Sequence, residues 1–448
     1  MAKANVATRN AQMEKVYQDS RTLRALAGGT KGMRELGELY LPKRPKESTE
    51  AYETRLNSSF LYNKTMDTIK TVAGKLFSKP MTADDMLQSV DSEGRDITRF
   101  AHDVTMDALQ VGVTYVMADY TGNEDIVTRE DAKKANVRPF LLHIKQENLL
   151  SYQSEFVGSE EALTRVNILE EVLEQDEDNE FQFDLVQQVR VYRVVDGVMT
   201  TEVWRKPDGK DWSLFSEPIA TSMSYIPLNA LYTCRTGFMT GKPPYQDIAD
   251  LNVRHWISRS SQDHILDFCR FPMLFAKGLE NDDTTVGANV MLRGIADENS
   301  DAKYIETNGK AVEAGANDLE NIESQMDALS KQVLNRQSGN ITATARAIDE
   351  SSSNTDIQTL ANIIEDTFNS VVGDMGEWSG EDYGVVELNA DFTLSSDNES
   401  DNTLLLGMYD RNAISRETLA KEAQRRGVLS EDYDFEVDVA NIDTGGGA

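Results

Sequence analysis

Apolar side chains recur at spacings of three and four in the first hundred residues. Met66, Ile69, Val72, Ala73 and Leu76 form one such face, opened upstream by the polar Ser48-Thr49-x-x-Tyr52 and stopped at Lys79-Pro80, and this spacing predicts helix with a core-facing side. Phe100, Ala101, Val104, Ala108 and Leu109 give a second face in a helix predicted from about Ile97 to Val111, with Gly112 as its stop. The pattern then changes. Residues 113–118, 139–144, 165–173, 185–195 and 198–205 are enriched in β-branched and aromatic side chains and separated by turns such as Asp196-Gly197 and Asp208-Gly209, which predicts strands. Between two of them the acidic stretch 170–184 holds little that could pack, so it reads as a solvated hairpin tip or a strand edge guarded by charge.

The helical period returns in the middle of the chain. Ile226-Pro227 and Gly241-Lys242-Pro243-Pro244-Tyr245 precede a helix predicted over 245–268, with the prolines fixing its first turn and Phe271-Pro272 ending it. Short strands are predicted at 273–276, 290–292 and 303–306. Leu319, Ile322, Met326, Leu329 and Val333 then alternate spacings of three and four, a seam that requires a partner helix beside it. Residues 337–346 are polar, small and Gly-containing and predict a loop. A third helix follows over 355–375 on Ile357, Leu360, Ile364, Phe368, Val371 and Met375, then a strand at 385–394, an acidic linker at 395–401, and short helices at 403–410 and 415–426. The pattern is α+β, with a small β module inserted between two long helices.

Composition narrows the function. The 448 residues, 40% hydrophobic and 27% charged, have room for about three domains of ~150 residues. No apolar run approaches the ~20 residues of a membrane span, and the first ten residues lack the apolar stretch of a secretory signal, so assembly in the cytoplasm is expected. Cys234 and Cys269 are too few for a disulfide framework and read as small buried hydrophobes. The net charge of −31 repels nucleic acid and weighs against a sequence-reading DNA binder. The excess is uneven: residues 1–79 hold 15 basic and 8 acidic side chains, a net of +7, against −38 for the remainder. The basic segment is either a solvated helical face or a contact to DNA or to an acidic neighbour.

Catalytic signals are weak. Ala27-Gly28-Gly29-Thr30-Lys31-Gly32 lacks phosphate-loop spacing and a preceding strand, so it reads as a turn. His102, His143, His255 and His264 are dispersed, and the nine residues between the last two place them over two helical turns apart, as structural histidines and not metal ligands. There is no Gly-x-Ser-x-Gly elbow. Acidic pairs such as Asp282-Asp283 are common in this chain and mark solvated loops. No catalytic residue, metal or cofactor is expected.

The order of elements is more specific. Tyr40-Leu41-Pro42-Lys43 with Tyr52-Glu53-x-Arg55-Leu56, Ala108-Leu109-x-x-Gly112 before Asp119-Tyr120, and Arg138-Pro139-Phe140 before Glu147-Asn148-Leu149-Leu150 come first. Lys242-Pro243-Pro244-Tyr245-x-x-Ile248-Ala249-x-Leu251-Asn252-x-x-His255 and Phe271-Pro272-Met273-Leu274-Phe275-Ala276-x-Gly278 follow. Ile414-Ser415-Arg416-Glu417-Thr418-Leu419 and Arg425-Arg426-Gly427-Val428-Leu429 close the series. In this order, over residues 40–430, the chain resembles the portal proteins of tailed bacteriophages, the head-to-tail connectors of the virion.

The resemblance implies a portal fold and a ring of about twelve subunits at one capsid vertex, the channel for DNA packaging and ejection. Residues 1–242 would be the wing, 243–270 and 315–336 the stem helices, 271–314 the clip, 337–353 the tunnel loop, 354–402 a return to the wing, and 403–448 a short helical crown. Asp247, Asp250, Arg254, Arg259 and Asp263 would lie on the stem. Glu280, Asp282, Asp283, Asp297 and Glu298 would dock the large terminase subunit and then the head-completion or adaptor protein. Thr342, Thr344, Arg346, Asp349 and Glu350 would face the DNA channel. Arg346 is the only basic residue between Arg336 and Arg411, a candidate phosphate contact or a salt-bridge partner of Asp349 or Glu350. Further implied partners are double-stranded DNA bound without sequence preference and the major capsid and scaffold proteins, with no membrane. Two other classes stay open on these residues: another head or tail ring protein such as an adaptor, and an enzyme of another type.

Overall fold

The computed structural model describes residues 5–120, 138–176, 179–206, 211–270, 273–277, 301–305, 309–334, 343–389, 399–411, 413–425, 429 and 433–443. It describes backbone alone at 267–268, 270, 273–277, 301–305, 332–334, 343–355, 399–404 and 440–443. The chain divides into two units, Met1–Asn389 and Ala390–Ala448.

The first unit begins with helices whose starts are written in their capping residues. Helix α1 (Ala11–Ala27) opens at Asn10, whose side chain accepts from the Met13 amide, and α2 (Gly29–Glu35) follows directly, with Gly29 at φ +65°. The glycine pair is the expected turn. Helix α3 (Thr49–Ser58) is capped by Ser48, α4 (Lys64–Leu76) by Asn63 and α5 (Ile97–Val111) by Asp96, each side chain accepting from an amide of the first turn. All five positions of the predicted α4 face are buried, and Met66, Ile69, Val72 and Leu76 each contribute roughly 2 kcal/mol of transfer free energy.

Strands β1 (Val113–Tyr120) and β2 (Pro139–Ile144) then form two-thirds of a three-stranded antiparallel sheet. Strands β3 (Leu149–Val157), β4 (Glu160–Gln175), β5 (Phe183–Val195), β6 (Val198–Arg205) and β7 (Ser213–Ala220) form an antiparallel meander. Strand β8 (Leu228–Tyr232) returns to pair with β1, and the short β9 (Arg235–Gly237) and β10 (Thr240–Gly241) pair with each other. Met13 and Val16 of α1 pack in one core with Tyr115 and Met117 of β1 and with Val166, Ile168, Tyr192 and Met199 of the meander. That core joins the helical layer to both sheets.

Helix α6 (Gln246–Arg270) leads to a two-stranded antiparallel hairpin, β11 (Met273–Lys277) with β12 (Asp301–Ile305), and α7 (Lys310–Leu334) follows. Helix α8 (Ala343–Ser379) runs back to the three-stranded sheet, where Trp378 Nε1 donates to the Ala118 carbonyl. The second unit holds α9 (Glu399–Asp410), α10 (Arg416–Arg425) and α11 (Phe435–Asp443).

The α+β class and most element positions follow the sequence pattern, and the differences have physical causes. Strands β3, β7 and β8 were not predicted: β7 is an exposed edge strand containing Pro218, with no alternating core face. The predicted loop is helical from Ala343 onward, where α8 begins well before residue 355, because no Gly or Pro follows Gly339 for more than thirty residues. The strand predicted at 385–394 is reduced, over its described part, to one bridge between Glu387 and Thr82; the nearby Pro80 has no N–H with which to extend a ladder. Glu399 to Asp401, expected in a linker, belong to α9, and α7 starts at Lys310, ahead of the expected residue 315. Both cysteines are half-buried, not fully buried, and residues 290–292 lie outside the described residues.

One crossing ties these parts together. Gly112 ends α5 at φ +89°, and its carbonyl accepts from the amides of Thr233 and Cys234, while the Lys242 amide donates to the Cys234 carbonyl. A Cβ on Gly112 would lie 2.0 Å from the Lys242 carbonyl oxygen, and one on Gly241 would lie 2.6 Å from that of Gly112. Gly112→Ala is expected to cost about 3 kcal/mol in urea unfolding. Gly74→Ala, inside α4 with open space around it, should instead stabilise by about 0.5–1 kcal/mol.

Candidate functional site

The paired helices α6 and α7 are 25 residues each, or ~37 Å long. They run antiparallel, as their contacts show: Gln262 Nε2 donates to the Val312 carbonyl at 2.9 Å, Ser258 Oγ donates to Asp318 at 2.7 Å, and His255 Nε2 lies 2.9 Å from Glu323. Gly315 makes the close approach possible, because a Cβ there would meet Gln262 Oε1 at 1.9 Å. Of the predicted seam, Leu319, Ile322 and Met326 are buried and Leu329 is half-buried.

The pair is fixed to the helical layer by buried hydrogen bonds. Asn252 is fully buried on α6; its Oδ1 accepts from both the amide and the hydroxyl of Thr65 at 3.0 Å, and its Nδ2 donates to the Tyr62 carbonyl at 2.6 Å. Asn63, the cap of α4, donates to the Leu26 carbonyl at 2.6 Å, so the same short segment reaches α1. On α7, Ser330 accepts from Thr68 at 2.8 Å and Asp327 meets Lys64 at 3.0 Å. Burial depresses the Lys64 ammonium, but the hydrogen bond and charge of Asp327 outweigh it and hold the group above its ordinary range. The side chain of Trp256 fills the interior between Asn252 and Ser260.

Two further polar clusters set the layer that receives the pair. Arg24 of α1 spans Asp107 at 2.5 Å and Glu147 at 2.6 Å. Burial pushes the Asp107 carboxyl up, yet His143 and the Arg24 guanidinium hold it below the usual carboxylate range. In the segment leading into α3, hydrogen bonds from Arg55 bring Glu47 down to about 2, against its burial.

Asp247, Asp250, Arg254 and Arg259 are exposed on α6, and Asp263 is half-buried. The structure pairs the cations internally: Arg254 with Asp318 at 3.1 Å and Arg259 with Asp263 at 3.1 Å. Asp250 accepts from Gln246. Thr344, Arg346, Asp349 and Glu350 fall in the first turns of α8. Thr342, Glu280, Asp282, Asp283, Asp297 and Glu298 lie outside the described residues. Sequence reasoning missed Asn252, Asp318 and Glu323. The available signal was an Asn placed among Ile248, Ala249 and Trp256 on the apolar side of a helix, where a buried amide requires partners.

Among the described residues no group of three or more His, Cys, Asp or Glu could hold a metal ion, and no helix is long and apolar enough to cross a membrane. No curated protein matches the chain. A family model described as a domain of unknown function, DUF4055, matches residues 244–379, the part that runs from the start of α6 to the end of α8. Among solved structures the chain is similar to a chain from the virion of a native gene transfer agent particle, with 12% identity, 88% of this chain and 98% of that chain covered, and a TM-score of 0.43. It is also similar to a chain from the neck of a native gene transfer agent particle computed with C12 symmetry, with 11% identity, 86% and 94% covered, and a TM-score of 0.39. Both scores lie below the level that marks a shared fold.

Asn252→Ala leaves the buried Thr65 amide and the part-buried Tyr62 carbonyl without their partner, and it is expected to cost about 2–4 kcal/mol in urea unfolding. Asn252→Asp, which cannot donate to Tyr62, should recover only part of that loss.

Proposed function

We propose that this chain is a portal subunit of a tailed-phage-type head: one of about twelve copies in a closed ring through which double-stranded DNA passes during packaging and ejection. The observation that carries this reading is the helix pair. Two 25-residue antiparallel helices are locked at one end into a mixed helical and sheet body by buried side-chain hydrogen bonds and joined at the other by a small β module. Repeated around an axis, such a unit gives a bore a uniform wall, and the module at its end suits the docking of the large terminase subunit and, later, of a head-completion protein. The order of sequence motifs supports the same reading. The ring would sit in the virion at one capsid vertex, in contact with capsid and scaffold proteins.

The electrostatics suit passage of DNA. A charge of −31 per chain sums to about −370 over twelve copies, which opposes tight phosphate binding. Two of the stem cations, Arg254 and Arg259, are each held by a carboxylate. DNA would therefore be guided by repulsion and slide. In this reading the chain does no bond chemistry, and Arg346, at the head of α8, is the cation that touches the passing backbone.

Purified protein should form closed rings with a central hole in negative-stain images; particles that stay monomeric at micromolar concentration would sink the proposal. Arg346→Gln should leave those rings unchanged and lower the DNA retained per particle, measured by nuclease-protected DNA. Retention equal to wild type removes Arg346 from the channel contact.

A further inference from the structure

We propose that the outer half of the β4–β5 hairpin is the surface by which one copy of this chain holds the N-terminal helical layer of the next; the inference rests on the ring reading above. Strands β4 and β5 pair without interruption from Arg165 opposite Arg193 to Gln175 opposite Phe183, so alternate residues share one face. Near the core that face carries Leu169, Val189 and Val191, covered by Val6, Ala7 and Trp212. Beyond Glu171 and Gln187 the cover ends. Leu173 and Leu185, directly opposite each other, are 70% and 59% exposed, Phe183 is 57% exposed, and Phe181 in the turn is 85% exposed. At ~200 Å² per aromatic side chain the two phenylalanines alone leave about 280 Å² bare, roughly a third of the ~800 Å² that each partner buries in a stable contact. A continuous apolar stripe of this kind on a soluble chain marks an interaction surface.

Charge selects the occupant. Residues 170–184 contain eight carboxylates and no basic side chain; Glu170 and Glu174, on the other face, are paired with Arg190 and Arg205, while Glu171 shares the face of the stripe and Glu180 is exposed in the turn beside Phe181, which gives the stripe an acidic edge. Residues 80–448 carry −38 and would repel it; residues 1–79 carry +7 and would not. That layer has an apolar patch of its own. Arg34 donates to the Ser59 carbonyl and the Leu61 amide donates to Thr30, which sets residues 30–39 beside 59–62, and there Leu39 is 51% and Phe60 68% exposed. Lys31 and Lys46 are exposed in the same layer. A contact between two unlike patches of one chain is heterologous and propagates from copy to copy, closing when the rotation allows.

The test uses full-length protein assembled from equal amounts of ¹⁴N- and ¹⁵N-labelled monomer and treated with a zero-length carbodiimide cross-linker. Mixed-isotope links are expected between Glu171 or Glu180 and Lys31, Lys43 or Lys46. The double variant Leu185→Ser, Phe183→Ser, altered only at exposed positions, should keep the wild-type circular dichroism and thermal midpoint while losing about tenfold in assembly affinity by mass photometry. If wild type forms rings but the variant assembles equally well, or mixed links avoid the hairpin, this interface is wrong and the ring reading stands. If wild type never assembles, both fall.

Discussion

The backbone crossing of Gly112 and Lys242 constrains the whole first unit. At that point the end of α5, the start of β1, the turn after β8 and the approach to α6 occupy a space that excludes even a methyl group. Because a peptide is planar and its carbonyl must be satisfied, the crossing fixes direction as well as position. The Gly112 carbonyl accepts from two amides, and the chain leaving β10 passes through Pro243 and Pro244 into α6. The long helix pair thus inherits its orientation from a glycine more than a hundred residues upstream.

From there the interior shifts from apolar to polar fixation. The sheets and α1 are held by Tyr115, Tyr192 and a set of aliphatic side chains, whose burial is non-directional. Helix α6 meets α4 through Asn252 and Thr65, and α7 meets it through Ser330 and Thr68, groups whose hydrogen bonds are lost if either helix slides by one turn. Net gains from such bonds are small, but leaving them unmade in a dry interior is costly, so they fix register more than they add stability. The proposed ring, in which identical copies stand in line, would require that kind of precision. The hairpin β4–β5 shows the complementary strategy at the surface: its carboxylates discourage indiscriminate pairing of an apolar stripe while leaving one oppositely charged layer of the same sequence able to meet it.

Legibility differed by kind of signal. Helix faces such as Met66 to Leu76 and stops such as Gly112 were readable because the period of 3.6 and the left-handed conformation of glycine are local properties. The acidic tip of the hairpin was readable as solvated, but its exposed Leu173, Leu185 and Phe183 were not separable from core strand residues, since alternation looks the same whether or not a face is covered. The edge strand β7 and the bridge at Glu387 escaped because their pairing depends on neighbours far away in sequence. Residues 343–353 looked like a loop because polar small side chains hide helix propensity; the backbone there continues α8.

The sequence by itself determined the α+β class, the long helices around a β insert, the separation of a basic N-terminal segment from an acidic remainder, and the order of motifs on which the portal reading began. Each is a property of composition or of near neighbours. Only the tertiary structure decided that Asn252 locks α6 to Thr65 and Tyr62, that Arg254 and Arg259 are already paired, and which apolar residues remain bare. Those depend on which distant groups share a dielectric environment and a few ångströms of space, and no periodicity along the chain encodes that.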